Sequence, residues 1–447
     1  LTQDKRIIDV SPFLESGDFS GLRETLDKLH PADIAEILEG LEEKDRFRVF
    51  DVLSPELASE TLAELDEELQ ESLIHESDEK TIGAIFEEMA TDDAVDIIGD
   101  LPREDAERVF STIEKEEAEE LKELLQYDEE SAGGLMTPEV LTISEDRTAD
   151  QAIVEVREKA KEFEEVFTVF VVDMEGRLKG NISLHNLILA DPASKIHDIM
   201  ETDVLYLTTD VDREEVARIM AKYNVVVIPV VDGESKLLGR ITFDDVMDII
   251  EDETTEDILL FAGVDEEEEL TGGPTQAVRS RLPWLCINLF TAFIAASVVG
   301  MFTEVISKKV VLVIFMPIVA GLAGSAATQT LAVTVRGMAL GEITTGKALG
   351  LIKKELIIGV INGIGVGLIV SLAALLWHQN LILGLLVGVS MWINTIVASV
   401  AGAMIPLALR RFGADPAIAS SIFIHAITDV IGFFVLLGLG TMMIVYI

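Results

Sequence analysis

Two hydrophobic patterns divide the chain. Over residues 29–125 apolar positions recur three and four residues apart, which predicts a succession of amphipathic helices. Beyond residue 270 the polar face is lost. Residues 283–303 and 310–335 carry no charge, nor do residues 356–409, which His378, Gln379 and Asn380 interrupt near the middle. Residues 416–447 carry one charge, Asp429. A run of about 20 apolar residues crosses a bilayer. The pattern therefore predicts five spans, with the interruption as the loop between the third and fourth.

Repeats organise the part before the spans. LHPADIAEIL from Leu29 resembles LSPELASETL from Leu53, and MATDDAVDII from Met89 resembles both. Each sets a helix start with a capping residue or Pro in the first turn. Short stacked helices forming a small superhelix are expected, a generic helical bundle being the plainer alternative. A stronger duplication follows. TVFVVDMEGRLKGNIS from Thr168 returns 59 residues later as VIPVVDGESKLLGRIT from Val227. Each copy reads as strand, turn, strand, helix. A helix precedes each (149–162 and 213–223), as does a lead-in, Met136-Thr137 or Met200-Glu201-Thr202. This resembles a tandem pair of CBS domains. Such pairs bind adenosine nucleotides through a Ser/Thr-x-x-Asp ending. The second copy keeps that ending as Thr242 and Asp245, while the first has Ser183 with Asn186 in place of the Asp. The resemblance thus implies ATP or another adenosine nucleotide as a ligand, or a module that only dimerises.

Charge sharpens the division. The chain holds 34 Lys+Arg and 80 Asp+Glu, a net of -46. The first 270 residues hold 24 basic and 75 acidic residues, and the remainder ten basic and five acidic. The acidic part concentrates small cations and makes a poor nucleic-acid binder. Asp245, Asp248 and Asp252 recur at helical spacing. Like charges so placed repel by about 1 kcal/mol per pair in water, and a divalent cation held by carboxylate oxygens would relieve them. A solvated acidic face is the ordinary alternative. A helix over residues 254–270 is expected to link this part to the spans. With the N-terminus inside, Arg279, Arg281, Arg336, Lys347, Lys353, Lys354, Arg410 and Arg411 fall on the cytoplasmic side and only Lys308 and Lys309 outside. Residues 1–10 lack the apolar stretch of a leader. The expected location is the cell (inner) membrane, multi-pass, with cytoplasmic N-terminal domains and an extracytoplasmic C-terminus. One cysteine, Cys286, excludes a disulfide framework.

Polar groups within the spans are few. An ionisable residue at membrane depth is costly and by default functional. Asp429 lies well inside the last run, with His425 four residues earlier and on the same helix face. The two would pair with each other or a neighbouring helix, or they would meet an ion. Residues 317–330, PIVAGLAGSAATQT, are small and polar, suiting close helix packing or an ion cavity. Asn394 is a third polar group at depth. No His-Glu-x-x-His motif or catalytic Asp pair is present, so a membrane enzyme is not expected.

These features together resemble the MgtE family of bacterial magnesium channels, over nearly the whole chain. The motifs are AGGLMTP from Ala132, LAVTVRG from Leu331, and Thr428-Asp429 followed by GFF from Gly432. The implied fold is multidomain. It has an all-α superhelical N-domain (1–130), an α/β tandem CBS pair (131–256), a connecting "plug" helix (257–277), and an α-helical membrane domain of five transmembrane helices (278–447). The resemblance implies a homodimer with its pore at the subunit interface and Mg2+ as both cargo and regulator. It places the pore aspartate at Asp429, and the pore-ion set becomes Asp429, His425, Ala426, Ser421, Asn394, Gly324 and Ser325. Sensor carboxylates fall on Glu60, Asp92 and Asp96, and on Asp212, Glu214, Asp245, Asp248, Glu256 and Asp257. Four features depart from the family. AGSAATQT from Ala323 replaces GGNxGxQS, Ser421-Ile422 replaces Gly-Pro or Asn-Pro, His425 replaces a small or hydroxyl residue, and Asn224 stands where the family has a sensor acid. A His beside an Asp suits softer divalent metals, so Mn2+, Co2+, Ni2+ or Zn2+ are alternative cargoes. A membrane-anchored metal or nucleotide sensor that conducts nothing is the alternative function.

Overall fold

The computed structural model describes residues 8–159, 166–265, 268, 273–341, 343, 347–412, 415–419 and 421–446. The chain divides into two compact units, Leu1–Ile249 and Ile250–Ile447.

The first unit begins with short helices: α1 (Ser11–Ser16), α2 (Phe19–Leu26), α3 (Pro31–Glu39), α4 (Glu43–Phe50), α5 (Pro55–Ala63), α6 (Glu67–Glu76), α7 (Glu79–Phe86), α8 (Thr91–Asp100), α9 (Arg103–Thr112) and α10 (Lys115–Leu124). Local chemistry sets their starts. Pro31 and Pro55 stand in the first turns of α3 and α5, where a missing N–H costs nothing. Ser54, Asp66 and Asp78 accept from the amides of Leu57, Leu69 and Thr81. The helices stack in two rows. α3 packs on α5, α5 on α7 and α7 on α9, while α4 packs on α6, α6 on α8 and α8 on α10. This is the expected superhelix. The three repeat copies start α3, α5 and α8, so the first two are row neighbours and the third lies in the other row. That copy also lacks a side-chain cap, its cap residue being Ala90.

Two three-stranded sheets follow. β1 (Thr142–Ser144) runs parallel to β2 (Thr168–Val172), which pairs antiparallel with β3 (Leu178–Ser183). β4 (Leu207–Thr208), β5 (Val227–Val231) and β6 (Leu237–Thr242) repeat the arrangement. Even the register shift recurs, at Val171/Val172 and Val230/Val231. Around the sheets lie α11 (Ala149–Lys159), α12 (Leu184–Leu189), α13 (Ile196–Ile199) and α14 (Arg213–Tyr223). The lead-ins are exchanged between repeats. Thr137 bridges Arg240 on β6, and Glu201 bridges Asn181 on β3. Glycine permits both crossings: a Cβ on Gly239 would lie 2.6 Å from the Thr137 carbonyl oxygen, and one on Gly180 2.7 Å from that of Glu201.

α15 (Phe243–Ala262) carries the chain across the boundary between units. It ends eight residues short of the expected Leu270. Gly263, at φ 75°, donates to Leu260 O, and Val264 donates to Leu259 O. This left-handed glycine cap stops the helix, and the expected continuation through 266–267 and 269–272 lies outside the described residues.

In the second unit, α16 (Pro274–Met301), α18 (Val311–Ala339), α19 (Ala348–His378), α20 (Leu381–Arg411) and α21 (Ser421–Met442) are long and apolar enough to cross a membrane, with a short α17 (Thr303–Lys308) after α16. The break between α19 and α20 falls where expected. Gln379 takes φ 54°, and the Asn380 side chain caps α20 by accepting from Leu383 N. α19 and α20 meet along a glycine seam. A Cβ on Gly367 would lie 2.8 Å from Gly388 O, and one on Gly388 2.8 Å from Gly367 O. Such contact gives van der Waals packing that lipid cannot replace.

Asn394, fully buried on α20, ties three helices together. Its Nδ2 donates to Val319 O on α18 (3.2 Å) and to Thr428 O on α21 (3.1 Å). Gly432 makes room: a Cβ there would sit 2.4 Å from Nδ2. Gly432→Ala should therefore break the tie, and a buried polar group left unmatched costs about 1–3 kcal/mol. The expected result is a thermal midpoint in detergent lower by several degrees. Gly438→Ala, where a Cβ meets nothing within 4 Å, should be neutral or mildly stabilising.

Candidate ion pathway and acidic clusters

α21 presents His425 and Asp429 on one face, one turn apart. His425 is exposed and Asp429 half-buried in the single chain, and each lies within the other's electrostatic field. The imidazole rests on α18. A Cβ on Gly324 would lie 2.9 Å from its Cδ2 and 3.0 Å from Nε2, so only glycine lets the ring lie there. On α18 the neighbouring exposed positions one turn apart are Gly321, Ser325 and Gln329. The Ser325 hydroxyl donates to Gly321 O at 3.0 Å. A polar strip thus runs at membrane depth along α18 and α21. Lipid is a poor neighbour for it. Ala426 is half-buried beside it, and Gly324 lies beneath the imidazole. Asn394 stands behind the strip, engaged with two carbonyls. Ser421 opens α21, but its side chain lies outside the described residues.

One ionisable group at depth was not singled out from the sequence. Glu355 is buried on α19 and accepts from the Thr330 hydroxyl on α18 at 3.1 Å. It stands directly after Lys353 and Lys354 in the sequence, where nothing local marks it as buried.

The expected sensor carboxylates do not converge on one point. Among the described residues, no group of three or more His, Cys, Asp or Glu is placed to hold a metal ion within the single chain. Three of them do interact. Burial lifts Asp92 to about 7, with repulsion from Asp245 and Asp93 adding to it. Asp96 is exposed at the surface. Protein crowding its other sides, and then Asp92, Glu129, Asp100 and Asp245, lift it to about 7 as well. Burial also raises Asp245, against the lowering effect of Thr242, whose amide and hydroxyl donate to Oδ2 at 2.8 and 2.7 Å. Carboxylates crowded together in this way suit a hard cation. Asp93, Asp100 and Glu129 belong to this cluster and were missed, because nothing distinguishes them in so acidic a stretch.

The remaining candidates are dispersed. Asp212 caps α14, accepting from Glu214 N at 3.0 Å, and Ser183 caps α12, accepting from Asn186 N at 3.2 Å. Glu60, Glu214 and Asp248 are exposed and Glu256 is half-buried. In the second unit burial lifts Asp257 to about 6, helped by Asp415 and Glu253. Asp415, in the connection before α21, is a further carboxylate missed from sequence. Nearby, Leu260 of α15 is buried in the cluster that also holds Ala417 and Ile424.

These features define an integral membrane transport protein with a helical-repeat domain and a CBS pair ahead of five apolar helices. Comparison with known proteins agrees. The divalent cation transporter model matches residues 316–439, the MgtE intracellular N domain residues 29–130, and the CBS domain residues 132–192 and 196–252. The chain is 33% identical to the magnesium transporter MgtE of Thermus thermophilus over 447 residues, 99% of each. It is 35% identical to that of Enterococcus faecalis over 326 residues, covering 73% of this chain and 72% of the relative. Among solved structures, the cytosolic domain of the Mg2+ channel MgtE in complex with ATP matches with a TM-score of 0.53 and 36% identity, over 55% of this chain and 100% of that one. The chain belongs to the MgtE family.

Proposed function

We propose that the protein is a homodimeric Mg2+ channel of the inner membrane, closed by Mg2+ bound to its cytosolic acids. The observation that carries this reading is the strip of Ser325, Gln329, His425 and Asp429. Polar side chains exposed at membrane depth need water or a second copy of themselves, and a two-fold pairing of this face supplies both. Two Asp429 carboxylates would then attract a hydrated cation into a channel whose other walls are uncharged. The sequence relatives are named magnesium transporters, which favours Mg2+ as cargo and argues against an enzyme. ATP at the CBS pair is supported by the solved cytosolic domain named above and by the retained Thr242 and Asp245.

The gate would work by charge. Asp92, Asp96 and Asp245 repel when empty, as do Asp257 and Asp415. Mg2+ would be held by these carboxylates and would neutralise them, favouring a compact arrangement of the α15 region. At low Mg2+ the repulsion returns and the pore opens.

The test is Mg2+ uptake by proteoliposomes while Mg2+ on the cytosolic face is varied. Uptake that falls as that Mg2+ rises is expected. Asp257→Asn should shift this inhibition to about tenfold higher Mg2+, since a tenfold change corresponds to about 1.4 kcal/mol, well within the reach of one carboxylate. Dimer pairing is tested by Ser325→Cys in a Cys286→Ser background, where a cross-linked dimer is expected. Uptake indifferent to cytosolic Mg2+ would overturn the gating scheme, and the absence of any cross-link would overturn the pairing.

A further inference from the structure

We propose that His425 makes the Asp429 site a ligand for imidazole-seeking first-row divalent cations, of the Ni2+, Co2+ and Zn2+ class, which therefore compete with Mg2+ in the pathway. The proposal rests on the reading that Asp429 faces the pathway. Three observations carry it. His425 and Asp429 stand one helical turn apart and within each other's field. The imidazole is seated rather than loose, lying where a Cβ on Gly324 would come within 3.0 Å of Nε2. Finally, the ring remains exposed, so it is available to a cation on the open face.

The chemistry separates two classes of ion. Mg2+ demands near-octahedral oxygen donors and gives up water reluctantly. It gains little from a ring nitrogen. Imidazole suits Zn2+, Ni2+ and other first-row metals, whose affinities rise along the series toward copper. One chain supplies one nitrogen and one carboxylate. A second copy facing it doubles the set to two of each, the four ligands that a tetrahedral ion takes. Ser325 and Gln329 add exposed oxygens on the facing helix. Such a site would hold a transition metal longer than it holds hydrated Mg2+, so those ions should inhibit Mg2+ flux as they cross.

The experiment uses the full-length protein in liposomes, with Mg2+ uptake measured against added Ni2+. The quantity read is the apparent affinity for Ni2+ relative to Mg2+ within each variant. His425→Ala should lower that ratio about tenfold or more, the scale expected for losing a nitrogen ligand to a metal that prefers one. Gly324→Ala, which pushes the ring aside without removing it, should lower it in the same direction. His425→Gln serves where the alanine variant is not monodisperse. A ratio within about twofold of wild type in these variants overturns the proposal. An independent readout is the visible absorption of bound Co2+. A nitrogen-ligated band present in wild type, retained in Asp245→Asn and lost in His425→Ala supports the proposal, and identical spectra in all three overturn it. If Asp429→Ala conducts Mg2+ like wild type, the pathway reading fails, and the Co2+ spectrum still decides separately whether His425 binds metal.

Discussion

Asp429→Ala is expected to reduce divalent flux to the level of protein-free liposomes, with Asp429→Asn close behind. A charged pair about 4 Å apart gains roughly 4 kcal/mol at an effective dielectric of 20, and a divalent ion about twice that. The ion loses part of this to its retained water shell. Even half of it, removed from the barrier's balance, slows permeation about a thousandfold, because each 1.4 kcal/mol is a factor of ten. No other acidic group on the exposed strip stands ready to replace it, since Ser325 and Gln329 are neutral. Asp429→Glu keeps the charge but lengthens the side chain beside His425, and should retain a measurable fraction of flux. The readout is a Mg2+-sensitive dye inside liposomes, with size-exclusion profiles showing that each variant is assembled. Wild-type flux in Asp429→Ala would sink the central reading.

The second large effect is a dependence of cytosolic stability on pH and Mg2+. Asp92 and Asp96 titrate near 7 in the folded protein and near 4 when unfolded. The folded state therefore binds more protons than the unfolded state between about pH 4 and pH 7. Stability is greatest below that window and is lost as pH rises through it. Mg2+ should replace the missing protons at high pH and have little left to do at low pH. For a fragment ending at Ala262, the midpoint without Mg2+ should be lower at about pH 8 than at about pH 5.5 by roughly 5 °C, taking about 1–2 kcal/mol after allowance for solvent contact. Millimolar Mg2+ should restore most of the loss at the higher pH. Asp245→Asn, which removes one of the repelling charges, should raise the Mg2+-free midpoint at high pH and flatten the Mg2+ response. A midpoint that rises with pH, or that ignores Mg2+ at both values, contradicts the scheme.

The five spans were legible because lipid-facing helices must shed charge, and stretches such as 310–335 have none. The turn at Gln379 and Asn380 was legible for a similar reason: polar residues within an apolar run have nowhere else to go. The CBS pair was visible through its 59-residue offset, which the strand registers repeat. Other features left no local mark. The end of α15 depends on the left-handed glycine at Gly263, while the acidic pattern alone continues past it. Asn394 reads the same whether it faces an ion or ties helices. Only the positions of Val319 O and Thr428 O show that its Nδ2 ties helices. Asp92 and Asp96 entered through the family resemblance, since each is one of 75 acids in 270 residues and no spacing rule could raise it above that background, whereas Asp245 was marked by its spacing to Asp248 and Asp252 and by the Thr242-x-x-Asp ending. Asp93, Asp100 and Glu129 stayed hidden for the same reason, while Asp415 is one of only five acids after residue 270 and its effect on Asp257 depends on a tertiary approach that no local pattern announces.

The crossed lead-ins have a mechanical consequence. Each CBS repeat is clasped by a strap that belongs, in chain order, to the other: Thr137 lies across β6, and Glu201 across β3. Neither half can tilt without dragging its sibling's strap, so the pair moves as one lever. A ligand that shifts the earlier half would thus be felt at Thr242 and Asp245, the root of α15, without touching them.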